Sequence, residues 1–437
     1  MATRAAPTGW GITHDGCGCW PGQPAVTAAR RRAAAPAGAV LTALLQAVGQ
    51  EVPAAVALRR ELHASPELGG HEARTASRVA DALGEPDAPA VSTGRVVRIG
   101  AASGPSVAIR AELDALPLTE QTPVAWASRN GASHSCGHDV HLAALTAAGR
   151  AVRRAGGPLP LVAVLQPREE SYPSGARDLV GSPQLEAQDV RAVIGVHVHP
   201  HVACGQISVG PGAVNAASDE VTITVRGRGG HAAYPHVTRD PVIAAAHVIL
   251  ALQHLISRRT DPMHSAVLTI GTVQAGTASN VIPERVVLTG SLRTFEATDR
   301  ASLWSAVSAT AGATAEAYEC SAQASFTRGE PVLDNDPALA AAAAACLAQA
   351  GFGVVESLRS CGSDDFAYYG TRYPALMMFA GVGHPGTPEA PGLHHPAFLP
   401  REEAVADVAR AMLAGYVAAC SVVLPGAAGP GEYLPRS

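Results

Sequence analysis

The segment Ser133–Leu145, SHSCGHDVHLAAL, holds three histidines, a cysteine and an aspartate before it turns apolar. Thiolate, neutral imidazole and carboxylate are the ligands that zinc and its divalent neighbours take from proteins. Further places offer the same chemistry: Asp114 after SVAIRAEL, Glu169 and Glu170 after LPLVAVLQPR, His197 and His199 at the end of RAVIGVHVHP, and His394 and His395 in GLHHP. Two adjacent glutamates on a turn permit a division of labour, with one carboxylate on a metal and the other free to take a proton from an activated water. Spacing alone does not say which does which. A site built this way can hydrolyse an amide.

Taken singly, each feature has a plainer explanation. An isolated C-x-H is a buried cysteine beside a helix cap, paired glutamates are a solvated turn, and one histidine at a strand end is a hydrogen-bonded imidazole. Joint occurrence after successive apolar runs is what favours a metal centre. His134, His141, His199, His201 and His395 read as supporting or surface histidines. The GRGGH run at Gly227 is not a dinucleotide loop, because no helix opens directly behind it.

These residues converge only if their strands run side by side in one direction, since ligands of open α/β sheets bind outside the carboxyl ends of strands. SVAIRAEL, LPLVAVLQP, RAVIGVHVHP and PALMMFAGVG are short apolar runs, several of them separated by Ala-rich helical patterns, and they predict an α/β fold with a mostly parallel sheet. That metal-binding catalytic domain is expected over 49–213 and 327–425. Residues 214–326 differ: DEVTITVRGRG alternates apolar and polar, and is followed by a helix, two strands and a helix near 300–318. The order βαββα predicts an inserted two-layer α+β domain. Residues 1–48, with GCGCWPGQP and an Ala/Pro run, predict a poorly ordered extension ahead of a first amphipathic helix at VALRRELHASPEL, and 426–437 a tail.

The chain has 437 residues, 47% of them hydrophobic and 16% charged, with a formal charge of −5. A chain of this length favours two domains. Its charge provides no basic field for nucleic acid and no membrane-binding patch beyond Arg30–Arg32. No run reads as the roughly 20 apolar residues of a membrane span. Eight scattered cysteines suit a reducing cytoplasm better than a disulfide framework.

LRRELHASPELGGHE, RAELDALPLTEQ, SHSCGHDVH, QPREE, GVHVHP, GRGGHAAYPH, ASNVIPERV, GSDDF and GLHHPAFLP occur in the order seen in the amidohydrolase branch of metallopeptidase family twenty. The chain resembles that branch, which holds aminoacylases, hippurate hydrolases and hydrolases of auxin–amino-acid conjugates, over roughly residues 50–420. The resemblance implies two divalent ions (zinc, manganese or cobalt) held by Cys136, His138, Glu170, His197 and His394, with Glu169 as general base and Asp114 in support. It further implies that His231, Asn280 and Arg293 of the inserted domain contact the transition state and the substrate carboxylate. In relatives this domain is a lid that makes a homodimer and can send its histidine into the partner's site. The implied substrates are N-acyl amino acids or dipeptides. A closed structural or sensing zinc site and a non-catalytic peptide binder are the alternatives, and an uncoordinated Glu169 argues against the closed site. Glu112 stands where the family usually has Asp, SHSCGHD replaces MHACGHD, and Asp364 shortens the usual Glu of SEDF.

Overall fold

The strand Ser106–Glu112 is buried at every position, as a strand covered on both faces must be. The computed structural model describes residues 37–383 and 390–424. Among them the largest sheet has eight strands, in the order Ala90–Val91, Gly94–Ile99, Leu161–Gln166, Ser106–Glu112, Val190–Ala203, Ala375–Gly383, Gln206–Ser208 and Gly353–Val355. The four strands Leu161–Gln166, Ser106–Glu112, Val190–Ala203 and Ala375–Gly383 pair in parallel. Antiparallel pairs flank them, Gly94–Ile99 on one side and Gln206–Ser208 on the other. The expected α/β fold is therefore present, and all four quoted runs are its parallel centre.

Helices Ala37–Ala64, His138–Ala155, Pro337–Gln349 and Glu403–Val423 contribute to the larger apolar core, with Leu44, Leu62, Leu145, Ile194 and Met412 among its buried members. The first helix corrects an expectation. Residues 37–48, expected to belong to a poorly ordered extension, are helical, because Leu41, Leu44 and Val48 continue the buried stripe that runs on through Ala55, Leu58 and Leu62. Ala and Pro in the preceding run obscure that spacing; residues 1–36 lie outside the described residues, as does the tail at 426–437. Among the described residues three helices, Ala37–Ala64, Pro241–Arg258 and Glu403–Val423, are long and apolar enough to cross a membrane by length and composition, contrary to the sequence expectation. In this fold each packs its apolar side on protein.

The second sheet has the order Ala266–Ala275, Arg285–Thr294, Ala217–Arg226 and Ser321–Arg328, wholly antiparallel. Helices Pro241–Arg258 and Ala297–Glu316 share its separate core of Val221, Ile223, Val248, Leu252, Leu288 and Val307. The order is βαββαβ, one strand more than expected. SAQASFTR escaped notice because it is an edge strand of small and polar residues that alternates only between exposed and half-buried positions.

Candidate metal centre

Helix His138–Ala155 begins against the strand Val190–Ala203, and a glycine makes that approach possible. Gly137 has φ +88°, and a Cβ there would lie 2.5 Å from Val198 Cγ2. Only a residue without a side chain fits both the backbone and the gap. Cys136 and His138, on either side of it, are thereby brought to the strand that carries His197. Cys136 Sγ lies 3.4 Å from His197 Nε2. Sulfur and nitrogen on one tetrahedral zinc, at bonds of about 2.3 and 2.0 Å, would stand about 3.5 Å apart.

Asp114, just past the buried strand Ser106–Glu112, fixes the two glutamates. Its carboxylate accepts the backbone N–H of Glu169 at 3.1 Å through Oδ1 and that of Glu170 at 2.9 Å through Oδ2. Its backbone carbonyl accepts the Nδ1–H of His138 at 2.8 Å. His138 therefore presents Nε2 as its lone-pair nitrogen, 3.8 Å from Glu169 Oε2. His197 is set in the same way, its Nδ1–H donated to the Val198 carbonyl at 2.7 Å. His394, held at φ +66° with its N–H on the Ser135 carbonyl, brings Nε2 to 3.1 Å from Glu170 Oε1.

The donor set fits divalent ions. Among the described residues His138 Nε2 is buried without a hydrogen-bond partner, a costly state unless something else binds it. Ligand atoms of Cys136, His138 and Glu170 lie within 4.8 Å of one another. Burial and the charges of Glu170, Glu169 and Glu112 push the Cys136 thiol up, so nearby positive charge is what would make it a thiolate. Burial pulls His197 well down and keeps it neutral.

Beneath Glu169 lies a buried charged network. Arg110, 1% exposed, meets Glu112, Asp364 at 3.4 Å and Asp365 at 2.7 Å, and donates through Nε to Gln166 at 2.9 Å. Burial pushes Asp365 up to about 7, against the pull of Arg110. Burial and the charges of Glu170, Asp364 and Asp365 push Glu169 well above the carboxylate range. The Asp364 carboxylate, although a methylene shorter than the family's usual glutamate, still comes within 4.8 Å of that of Glu169. Sequence reading missed Arg110 and Asp365. The available signal was an arginine inside an otherwise apolar strand and the doubled aspartate of GSDDF.

A cavity of about 320 Å³ opens onto the centre, lined by Cys136, Glu169, Glu170, His197 and His394 together with Leu358, Ser363, Asp364, Phe379 and Leu393. His199, read as a supporting or surface histidine, is in its wall. Burial and the nearby His201 pull its pKa down to about 4. Arg293 reaches the same loop from the second sheet, donating to Ser363 Oγ at 2.9 Å. His231 and Asn280 are not brought in. They lie exposed beside the small ribbon in which Gly230–His231 pairs with Val281–Ile282, where the Asn280 carbonyl accepts the Ala232 N–H at 3.0 Å.

The chain is similar to known proteins in sequence and fold. Residues 108–418 match peptidase family M20/M25/M40. The N-acetyl-L-cysteine deacetylase of Bacillus subtilis (strain 168) is 35% identical over 358 residues, which cover 80% of this chain and 84% of the relative. The N-acetyldiaminopimelate deacetylase of Shouchella clausii (strain KSM-K16) is 32% identical over 364 residues, 82% of this chain and 96% of its own. The crystal structure of the Bacillus subtilis YXEP protein, a dinuclear metal binding peptidase from the M20 family, aligns with a TM-score of 0.74 at 30% identity, over 84% of this chain and 98% of that one. With the fold, the donor set and these likenesses in agreement, the chain belongs to peptidase family M20/M25/M40.

Proposed function

We propose that this protein is a metal-dependent amidohydrolase that cleaves the amide bond of small N-acyl amino acids or related dipeptides. The observation that carries the reading is the Glu169 carboxylate, which faces the unpartnered His138 Nε2 at 3.8 Å in the wall of an open cavity instead of closing the donor set. A closed structural zinc site has no use for it. The two deacetylase relatives support the same class of substrate.

Cys136, His138, Glu170, His197 and His394 would hold two divalent ions. Bound there, zinc, manganese or cobalt supplies Lewis acidity that lowers the pKa of a water and steadies negative charge on a carbonyl oxygen. Glu169 takes the proton of that water and hands it to the departing amine, which a carboxylate with a raised pKa does readily. Asp114 keeps Glu169 and Glu170 at fixed height through their amide hydrogens. Arg293, beside Ser363, pairs with the substrate carboxylate. His231 donates to the developing oxyanion. Because His231 and Asn280 lie outside the cavity lining, they act in this scheme from a partner subunit, in a homodimer joined through the 214–326 lid domain. The unpaired thiols of the described residues suit a cytoplasmic protein.

The test is a panel of N-acyl amino acids and dipeptides assayed with metal-stripped protein reloaded separately with zinc, manganese and cobalt. Hydrolysis of at least one N-acyl amino acid is expected; a metal-loaded protein that cleaves none refutes the reading. Glu169→Gln should keep its metal content while kcat falls at least about a hundredfold. Near-normal turnover in that variant removes Glu169 from the role of base.

A further inference from the structure

His141 is fully buried, and both of its ring nitrogens are engaged. Nδ1 donates to Glu112 Oε2 at 2.9 Å, and Nε2 accepts the Val198 N–H at 3.0 Å. A carboxylate can only accept and a backbone amide can only donate, so these two partners fix the tautomer. Val198 passes the constraint on, because its carbonyl accepts the Nδ1–H of His197 at 2.7 Å. His197 is left with Nε2 as its lone-pair nitrogen, facing Cys136 Sγ at 3.4 Å. Val198 lies beyond Gly195, the last residue paired with the strand Ser106–Glu112. Past that point side chains, not the ladder, answer its N–H and C=O.

The other oxygen of Glu112 meets Arg110, which Asp365 and Gln166 also hold. One hydrogen-bonded path thus runs from Arg110 through Glu112, His141 and Val198 to His197. Glutamate at 112, where the family usually has aspartate, spans from Arg110 to His141 with a single carboxylate.

From this path we infer that Glu112 and His141 are positioning residues, which fix the tautomer and ring orientation that His197 offers to one of the two cations. His141 is not itself a ligand, although donor atoms of Glu112, His138, His141 and His197 lie within 4.8 Å of one another. Both of its nitrogens are already committed. The inference rests on the metal-centre reading above. Partners that orient a metal-bound imidazole hold it in the ligating pose, so their loss loosens the ion without removing a ligand.

The experiment uses the full-length protein loaded with zinc and challenged with a chromophoric chelator, the retained zinc being counted by elemental analysis. His141→Phe removes the acceptor for the Val198 N–H and should release one zinc about 10–100-fold more readily than wild type. The amide of His141→Gln can accept that N–H and donate to Glu112, so this variant should hold zinc within about threefold of wild type. Glu112→Gln sets an amide NH2 against Arg110 or the His141 Nδ1–H and should loosen the same zinc, which decides the matter if His141→Phe does not fold. Wild-type retention in His141→Phe or in Glu112→Gln overturns the inference. So does a His141→Gln variant that loses zinc as fully as His141→Phe, for then His141 is a ligand. Wild-type protein that retains no zinc sinks the metal centre and this inference together. Wild-type protein that holds two zinc ions yet hydrolyses no N-acyl amino acid refutes only the proposed activity.

Discussion

Cys136 and Glu169 stand in the same cavity, yet their loss should look different at the bench. Cys136→Ala removes a sulfur placed 3.4 Å from His197 Nε2, so metal content and activity should fall together. Elemental analysis finding two full equivalents in that variant would exclude Cys136 as a ligand. Cys136, His138, Glu169, Glu170, His197 and His394 are legible as candidates in the chain itself, because they sit just before or after apolar runs that cannot use them, whereas their division into ligands and base comes only from the family resemblance. What Asp114 does is not legible. A lone aspartate after a strand says nothing of two amide hydrogens contributed by residues 55 and 56 positions away. Arg110 is hidden for a related reason: a charged residue in a strand reads as solvent-facing until the fold encloses it with Glu112, Asp364 and Asp365.

Among the elements, the helix Ala37–Ala64 has the closest hold on the helix His138–Ala155, through charges as well as packing. Arg59 Nε lies 2.9 Å from Asp139 Oδ2, and Arg59 also donates to the Pro400 carbonyl at 2.7 Å. His63 completes the clamp, Nδ1 at 3.0 Å from Asp139 and Nε2 at 2.9 Å from Glu120. Burial pulls the His63 pKa down, but the charge of Asp139 and hydrogen bonds to Asp139 and Glu120 outweigh it and leave it raised. A raised folded-state pKa means that protonated His63 favours the folded protein. The contribution is complete below the unfolded value of about 6.5 and fades as pH rises through the folded one. The stability gap between wild type and His63→Phe, measured by thermal unfolding, should therefore be widest below about pH 6 and narrow on the alkaline side. A gap that widens with pH would show that His63 is neutral in the fold. This helix is only half legible: its second half carries a clear amphipathic pattern, whereas its first, Ala-rich half declares itself only through the burial of Leu41, Leu44 and Val48.

At the scale of the whole molecule, the two sheets keep separate cores, and Arg293 on Ser363 is a polar link from the second sheet to the cavity loop. His231 and Asn280 remain on the surface, which gives the homodimer proposal a direct test. Glu169→Gln and His231→Ala should each be nearly inactive alone, whereas a mixture allowed to exchange subunits should recover up to about a quarter of wild-type activity, from hybrids that contain one intact composite site. No recovery, in a mixture shown by mass spectrometry to contain hybrids, would place His231 and Glu169 of the same subunit in one site. The two-layer texture of 214–326 is legible because alternating strands differ so plainly from buried parallel ones. Its link to the cavity loop through Arg293 and Ser363 is not, since that depends on contacts between surfaces far apart in the chain. The grip of Asp114 on consecutive amides has a consequence for how such a protein diversifies. With Glu169 and Glu170 locked to one anchor, new acyl groups can be accommodated by resurfacing the cavity at Leu358, Phe379 and Leu393, and selection can retune appetite without moving either glutamate.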